Sequence, residues 1–322
     1  MLRRPRARQG ACVVVCTARL EPHHAQAIRG CDPAVEVRVV RRDEALPYLE
    51  DAEVLLSWMV PDAWVEHAKR LRWVHVTSAG VDHLWGGALW RSGVTITNSR
   101  GVHATPLAEH VLGWLLMFAR NLHVHLEHQR HRRWQREEGG QLAGTTVGIL
   151  GLGAVGRAVA RLCKACGARV VGMRRRPQPV PHVDRVVGPE GLREVLESSD
   201  YVVLTLPLVP STRGILGRRE LEWLKPGAVV VNVGRGGLVD EGALVEALRE
   251  GRLRGAALDT FAAEPLPPDS PLWELPNVLI SPHVAGSFHG YMDRVVELFC
   301  ENLRRYLAGE PLQNVVDREA GY

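Results

Sequence analysis

The chain has 322 residues, of which 46% are hydrophobic and 24% are charged, so it has the composition of a soluble globular protein with room for two domains. Its net charge of +4 is small and spread along the chain, which excludes nucleic acid as the expected partner. No apolar run approaches the roughly 18 residues that a membrane-spanning helix needs, so we expect no membrane insertion.

The N-terminus carries the one local cluster of charge, and it is basic: Arg3, Arg4, Arg6 and Arg8. The apolar run at residues 11–16 is too short for a secretory signal, so we expect a frayed basic tail before the first strand. Six cysteines are scattered along the chain. Without an export signal, we expect reduced thiols and a cytoplasmic protein.

The first hundred residues alternate short apolar runs with helical patterns. The predicted strands are residues 11–16, 35–40, 54–57, 73–76 and 94–97, and the predicted helices are residues 22–28, 44–49 and 63–69. Strands separated by helices indicate a parallel sheet in an α/β domain.

One long helix is predicted over residues 105–133, because its apolar residues recur at helical spacing. Its second half carries His123, His125, His128 and His131. No carboxylate–histidine pair completes a coordination set there, so we interpret these residues as an exposed polar face and expect no metal site. The apolar stripe of this helix could also pack against a second subunit.

A glycine motif follows the next apolar run, in the string TTVGILGLGAVG at residues 145–156. Gly151 permits a sharp turn, Gly153 lets the main chain approach a phosphate, and Gly156 lets a helix pack closely on the strand. The helix begins at Ala154 and Val155, so its N–H groups and dipole face the anion. This order of strand, turn and helix predicts a dinucleotide-binding site.

A second α/β series begins at this motif, with six predicted strands at residues 146–150, 169–173, 201–204, 228–233, 255–259 and 278–281. Six strands with helices between them indicate a doubly wound sheet. A last helix is predicted over residues 291–307. We therefore expect two doubly wound parallel-sheet domains: a Rossmann dinucleotide-binding domain (101–285) inserted into a flavodoxin-like substrate domain (1–100, completed by 286–322).

Three polar residues follow three strands of the second series. Arg235 comes after AVVVNVG, Glu264 after GAALDTFAA and His283 after NVLISP. Ligands of doubly wound sheets lie beyond the carboxyl ends of the strands, so these residues can converge on one site. A guanidinium binds a carboxylate and a neighbouring carbonyl, an imidazole moves a proton near neutral pH, and a carboxylate orients the imidazole. These residue types suit hydride chemistry with a nicotinamide.

Together these residues and motifs resemble the D-2-hydroxyacid dehydrogenase family, over nearly the whole chain. The strings that carry the resemblance are HVTSAGVDHL (75–84), TNSRGVHATPLAEHVLGWLL (97–116), the glycine motif, LPLVPSTRGIL (206–216), VNVGRGGLVDEGAL (231–244), LDTFAAEPLP (258–267) and SPHVAG (281–286).

The resemblance implies roles for individual residues. Arg235 would bind the substrate carboxylate, together with main-chain N–H groups of Ala79, Gly80 and Val81, and Glu264 would support the acid–base residue His283. The cofactor contacts that it implies beyond the glycine motif are Leu206, Pro207, Thr212, Val233 and Asp259. Trp58, Met59, Arg100, Phe288, His289 and Tyr291 would form the wall of the substrate pocket. Family members are generally homodimers built on the cofactor domain, which implies a homodimer here.

The chain departs from NAD-preferring members at the end of the second strand of the cofactor domain. Those members carry an acidic residue that bonds the ribose hydroxyls, whereas this chain has Arg174, followed by Arg175 and Arg176. Guanidiniums would attract a 2′-phosphate, so NADP is predicted over NAD.

The expected activity is reversible hydride transfer between NAD(P)H and the C2 carbonyl of a small 2-oxoacid. A chain of this length resembles glyoxylate/hydroxypyruvate reductases. A short D-3-phosphoglycerate dehydrogenase is the closest alternative. A second alternative is a function other than catalysis: the C-terminal-binding proteins, which resemble the same family, are dinucleotide-sensing corepressors that act as scaffolds for partner proteins.

Overall fold

The computed structural model describes residues 10–322, so the expectation for the arginine-rich tail lies outside the described residues. The strands are β1 (Cys12–Cys16), β2 (Val35–Val39), β3 (Val54–Ser57), β4 (Trp73–Val76), β5 (Thr95–Asn98), β6 (Thr146–Leu150), β7 (Arg169–Met173), β8 (Arg185–Val187), β9 (Tyr201–Leu204), β10 (Val229–Asn232), β11 (Gly255–Leu258) and β12 (Val278–Ile280). The helices are α1 (Pro22–Arg29), α2 (Asp62–His67), α3 (Ala88–Arg91), α4 (Ala104–Ala119), α5 (Leu122–Arg130), α6 (Ala154–Ala165), α7 (Leu192–Ser198), α8 (Arg218–Glu222), α9 (Glu241–Arg249) and α10 (Tyr291–Ala308).

The chain divides into two compact units. The first contains the described residues through Val102 together with Phe288–Tyr322, and the second contains His103–Ser287. The second unit is therefore an insertion, and α10 returns the chain to the first.

The first unit is built on a five-stranded sheet in the order β2-β1-β3-β4-β5, with every pair parallel. This is the flavodoxin-like order. Side chains of β1 alternate between the two faces. Val13 and Val15 pack on the layer that contains α2 and α3, and Val14 packs on the layer that contains α1 and α10.

The second unit is built on a seven-stranded parallel sheet in the order β12-β11-β10-β9-β6-β7-β8. The first six strands of this unit in chain order, β6 to β11, have the Rossmann arrangement. In it the strand order reverses between β6 and β9. Helices α4 and α6 cover one face, and α7, α8 and α9 cover the other. The predicted fold class of two doubly wound parallel-sheet domains is confirmed.

The sheet has one strand more than the sequence predicted. Strand β8 has only three residues and lies at the edge of the sheet, where it pairs with β7 alone. A short edge strand needs no buried apolar run, which is why the pattern does not reveal it.

Two helix predictions were wrong in detail. The helix predicted over residues 105–133 is α4 and α5, separated by Asn121 in the left-handed conformation (φ +53°). Asparagine tolerates that conformation, which ends a helix without interrupting the apolar pattern. The helix predicted over residues 44–49 is instead two single 3₁₀ turns, because Pro47 has no N–H for an α-helical bond.

Among residues 10–322, no helix combines the length and the apolar character that crossing a bilayer requires.

Candidate active site

The turn between β6 and α6 has the form that the glycine motif predicts. Gly151 has a φ of +106°. A Cβ on Gly156 would lie 2.0 Å from the Gly151 carbonyl oxygen, so the close approach of α6 requires glycine. Gly153 caps α6, and nothing lies within 4 Å of where its Cβ would be. This open space, in front of the first helical N–H groups at Ala154 and Val155, fits a pyrophosphate.

Three arginines follow β7, the strand next to β6. The N–H of Arg174 donates to the carbonyl oxygen of Val187 (3.1 Å), and the Arg174 side chain is half-buried. Arg175 and Arg176 are exposed. The position that takes an acid in NAD-preferring proteins is thus the first of three consecutive basic residues.

The other predicted cofactor residues lie on loops that follow β9 and β10. Leu206 and Pro207 are half-buried just after β9, and Val233 is buried just after β10. The Thr212 hydroxyl is used inside its own loop, where it donates to the Pro207 carbonyl oxygen (2.6 Å) and accepts from the Val209 N–H (2.9 Å). Thr212 therefore shapes the loop, and its predicted contact with the cofactor stays a prediction.

Arg235 lies on the loop after β10, in extended conformation. Its carbonyl oxygen accepts from Asn232 Nδ2 (2.9 Å), and its Nη1 donates to the Gly234 carbonyl oxygen (2.9 Å). A Cβ on the following Gly236 would lie 1.9 Å from the carbonyl carbon of Phe261. The loop that carries Arg235 is thus packed directly on the loop after β11.

Asp259 directly follows β11 and holds the loop that carries His283. Its carboxylate accepts from the Ser281 hydroxyl, from the Val284 N–H (2.8 Å) and from the Ala285 N–H (3.1 Å), and its carbonyl oxygen accepts from the His283 N–H (2.9 Å). Asp259 is 2% exposed. Sequence reasoning predicted a cofactor contact for Asp259 and missed this role as the anchor of the loop.

The structure brings His283 and Glu264 together. Nδ1 of His283 lies 2.7 Å from Oε2 of Glu264, and Oε1 of Glu264 accepts from the Phe261 N–H (3.0 Å). An ionised carboxylate only accepts, so Nδ1 carries a proton and Nε2 is the nitrogen left for a substrate. His283 has a φ of +51°, and its side chain is half-exposed.

Two histidines contact the same loop, and sequence reasoning missed both: His110 lies in α4, and His103 is the residue that precedes the helix as its N-cap. His110 Nε2 is 3.2 Å from the Ser281 hydroxyl, and His103 Nδ1 is 3.0 Å from the Gly286 carbonyl oxygen. Burial lowers the pKa of His103, and the positive charge of Arg235 lowers it further. Arg235 therefore lies near the residue that holds the end of the His283 loop. The seven-residue spacing of the two histidines places them on one helix face, which is a signal the sequence contained.

The predicted main-chain donors belong to the first unit, in the loop after β4. This loop is fixed through its carbonyl groups: Asn98 Nδ2 donates to the Ala79 oxygen (2.7 Å), and the Ser78 hydroxyl donates to the Gly80 oxygen (2.8 Å). Within residues 10–322, no acceptor is bonded to the N–H groups of Ala79, Gly80 and Val81. These groups can therefore bind an anion. The predicted pocket-wall residues also belong to this unit.

The histidines of α5 do not form a cluster of three metal ligands in the described part of the chain, whereas His23, His24 and Asp293 lie together. His24 Nδ1 accepts from the Glu21 N–H (2.9 Å), so its proton lies on Nε2, which donates to Asp293 Oδ1 (2.9 Å). A proton on Nε2 opposes metal binding there. We interpret this group as a cap that joins α1 to the start of α10.

Comparison with known proteins finds relatives over most of the chain. A glyoxylate reductase from Thermococcus gammatolerans is 33% identical over 296 residues, which cover 88% of each chain. A D-3-phosphoglycerate dehydrogenase from Methanocaldococcus jannaschii is 33% identical over 306 residues, 92% of this chain. The chain spans only 58% of the length of that second relative.

A solved structure covers almost the whole chain. It is the NADPH-dependent glyoxylate/hydroxypyruvate reductase of Sinorhizobium meliloti in complex with NADP and sulfate, with a TM-score of 0.85 and 30% identity over 97% of this chain and all of that one. The model of the D-isomer specific 2-hydroxyacid dehydrogenase NAD-binding domain matches residues 112–285. This chain therefore belongs to the D-isomer specific 2-hydroxyacid dehydrogenase family, whose nicotinamide dinucleotide the second unit is built to bind.

Proposed function

We propose that this protein reduces a small 2-oxoacid of the glyoxylate/hydroxypyruvate type to the D-2-hydroxyacid with NAD(P)H. The observation that carries the proposal is the 2.7 Å contact between His283 Nδ1 and Glu264 Oε2, at the edge of the sheet where the glycine turn lies. A histidine held by a carboxylate at one nitrogen presents the other as an acid or base.

Three residues of the chain have separate roles in the proposed reaction. When it is bound, the nicotinamide supplies the hydride. His283 donates a proton from Nε2 to the carbonyl oxygen, and Glu264 holds the ring in the orientation and charge state for that transfer. Arg235 binds the carboxylate of the substrate through its planar guanidinium.

We also propose a preference for NADP over NAD. It is supported by Arg174, Arg175 and Arg176, which follow β7 at the position where NAD-preferring members carry an acidic residue. The Sinorhizobium meliloti relative is described as NADPH-dependent. Measuring kcat/KM with each cofactor tests the preference, and a clear advantage of NADH would contradict it.

A panel of substrates tests the reaction. Glyoxylate, hydroxypyruvate and pyruvate are assayed with both cofactors, beside 3-phosphohydroxypyruvate, the substrate that a phosphoglycerate dehydrogenase reduces. We expect the highest kcat/KM with glyoxylate or hydroxypyruvate. Highest activity on the phosphorylated compound would favour the alternative dehydrogenase, which the 33% identity to the Methanocaldococcus jannaschii protein supports. Dinucleotide binding without any turnover would favour a corepressor-like scaffold.

We propose a cytoplasmic homodimer formed through the second unit. Apolar side chains are exposed along α5 and the segment after it: Leu122 is 44% exposed, Leu126 48% and Trp134 96%. Such a row is typical of a surface that a second subunit covers. Light scattering during gel filtration should give twice the chain mass, and Trp134→Ala with Leu126→Ala should shift it towards the monomer. A wild-type monomer would contradict the proposal.

A further inference from the structure

Two cysteines that are far apart in sequence meet where α1 packs against α10. Cys31 follows α1, and Cys300 lies in the middle of α10. The Cys31 sulfur is 3.8 Å from the Cys300 carbonyl oxygen and 3.5 Å from the Ala27 carbonyl oxygen. Cys31 is partly exposed, whereas Cys300 is buried.

The surroundings make the two thiols unequal. The hydrogen bond from the Cys300 thiol lowers the pKa of Cys31 to about 7, with a further contribution from Arg304, against the opposing effects of burial and Asp32. The same hydrogen bond and burial raise the pKa of Cys300. Cys31 is therefore the thiol that ionises near neutral pH, and Cys300 stays protonated beside it. An accessible thiolate next to a buried thiol is the arrangement of a reactive and a resolving cysteine.

The other close pair of cysteines lacks these features. Cys163 lies on α6 and Cys166 is the residue that ends this helix as its C-cap, and burial raises the pKa of Cys163 to about 12. Cys16, the third cysteine near Cys300, is also buried, and its pKa is raised to about 12. A search for reactive thiols by spacing alone would select Cys163 and Cys166, whereas the three-dimensional structure selects Cys31 and Cys300.

We propose that Cys31 and Cys300 form a site of reversible oxidation by peroxides. The Cys31 thiolate attacks one oxygen of hydrogen peroxide, so the O–O bond breaks, water leaves after protonation, and Cys31 becomes a sulfenic acid. The Cys300 sulfur then attacks the Cys31 sulfur, a disulfide forms, and the second oxygen leaves as water. The sum is two thiols and one peroxide giving one disulfide and two waters. The disulfide joins α1 to α10 within the first unit.

Peroxide treatment of the reduced full-length chain tests the site. After one equivalent of hydrogen peroxide and alkylation of the remaining thiols, peptide mapping should show a bond between the peptides of Cys31 and Cys300. Because this bond closes nearly the whole chain into a loop, the denatured protein should migrate faster on a non-reducing gel, and dithiothreitol should reverse the change. A bond between Cys163 and Cys166, between Cys16 and Cys300, or none at all in the folded protein would overturn the proposal.

Variants separate the roles of the two thiols. Cys31→Ser should abolish the fast-migrating form, and Cys300→Ser should stop the reaction at a Cys31 sulfenic acid that dimedone traps. The matched control, Cys163→Ser with Cys166→Ser, should behave as the wild type. If Cys300→Ser fails to fold, the wild-type peptide map still decides.

The rate of alkylation gives an independent readout. In the wild type, alkylation of Cys31 by iodoacetamide should reach half its maximal rate near pH 7, the pH at which its thiolate forms. Cys300→Ser should move that midpoint to a different pH, because a hydroxyl replaces the thiol that donates to the thiolate. A wild-type midpoint near the ordinary value for cysteine, about 8.5, would overturn the assignment of Cys31 as the reactive thiol.

Discussion

The carboxyl edges of the two sheets both carry a histidine, and the two residues are used in opposite ways. His75, on β4 of the first unit, is completely buried, with Nδ1 2.7 Å from the Thr97 hydroxyl and Nε2 3.1 Å from the Ser99 hydroxyl. His283, after β12 of the second unit, is half-exposed and bonded at Nδ1 to Glu264. An imidazole whose two nitrogens both have protein partners is a structural residue, whereas one held at a single nitrogen can transfer a proton.

The two histidines also differ in their electrostatic environments. Burial lowers the pKa of His75 to about 3, so this ring stays neutral at any ordinary working pH. Its neighbours are hydroxyl groups, which suit a neutral ring. His283 has a carboxylate for a partner, which suits a ring that becomes charged. The comparison supports a structural role for His75 and is consistent with the proposed role of His283 as the proton donor.

Removing the proton donor should have the largest effect. His283→Ala should lower kcat by about 10²-fold or more, because general acid catalysis is lost. The dissociation constant for NADPH, measured by fluorescence titration, should stay within about twofold, since the glycine turn binds the dinucleotide through its main chain. His67→Ala, on α2, is the control and should be fully active. Full activity of His283→Ala would remove the basis of the proposed mechanism.

A pair of glycine variants separates the fold from the ligand at the edge of the larger sheet. Gly156→Ala should lower both the melting temperature and cofactor affinity, because its Cβ would lie 2.0 Å from a backbone oxygen, and overpacking of this kind costs about 1–3 kcal/mol. Gly153→Ala has open space and an ordinary φ of −75°, so it should leave the melting temperature unchanged and weaken NADPH binding alone. Equal affinities in Gly153→Ala and the wild type would show that the phosphates do not approach this glycine.

Acid should destabilise the protein through His75. Its pKa is about 3 when folded and about 6.5 when unfolded, so the unfolded state binds the extra proton and stability is lost as pH falls below 6.5. Between pH 8 and pH 5 this loss amounts to about 2 kcal/mol. Urea unfolding at several pH values measures it, and His75→Asn should show a correspondingly shallower dependence on pH. Identical slopes for the two proteins would mean that His75 is not buried as a neutral ring.

Glu264→Gln should have a smaller effect than loss of the histidine. The amide can still hydrogen-bond to the ring but lacks the charge that stabilises its protonated form, so we expect kcat to fall about tenfold. Because Glu264 acts through His283, adding Glu264→Gln to His283→Ala should cause no further loss. Additive losses in the double variant would indicate a separate role for Glu264.

The smallest effect concerns the choice of cofactor. Arg174→Ala with Arg175→Ala should lower kcat/KM for NADPH about tenfold, the value of one lost charged contact, and should leave NADH within about threefold. Arg161→Ala, an exposed arginine of α6, is the control for a general change in charge. Equal losses with both cofactors would show that these arginines do not recognise the 2′-phosphate.

Periodicity and turn chemistry predicted most of the fold from the sequence. The apolar runs located eleven of the twelve strands to within a residue or two, because buried parallel strands are nearly continuous in valine, leucine and isoleucine. The pattern could not show the break at Asn121, since a left-handed residue leaves the apolar spacing on either side intact. Nor could it show β8, a short strand at a sheet edge.

The candidate site was predictable where chemistry depends on residue type and position after a strand. Arg235, Glu264 and His283 were selected in this way, the structure brings Glu264 and His283 together, and the resemblance to a family added the loop after β4. The contacts that hold the site were not predictable. Asp259, His103 and His110 position the His283 loop through hydrogen bonds whose partners lie up to 183 residues away, and only the folded chain brings such partners together.

The left-handed backbone conformation of His283 sets thermal stability against the proposed catalytic activity. A side chain in that conformation costs about 1–2 kcal/mol, a penalty that glycine does not incur. His283→Gly should therefore have a higher melting temperature than His283→Ala, although both lack the imidazole. The proposed chemistry therefore places a side chain at a position where backbone stability alone favours glycine.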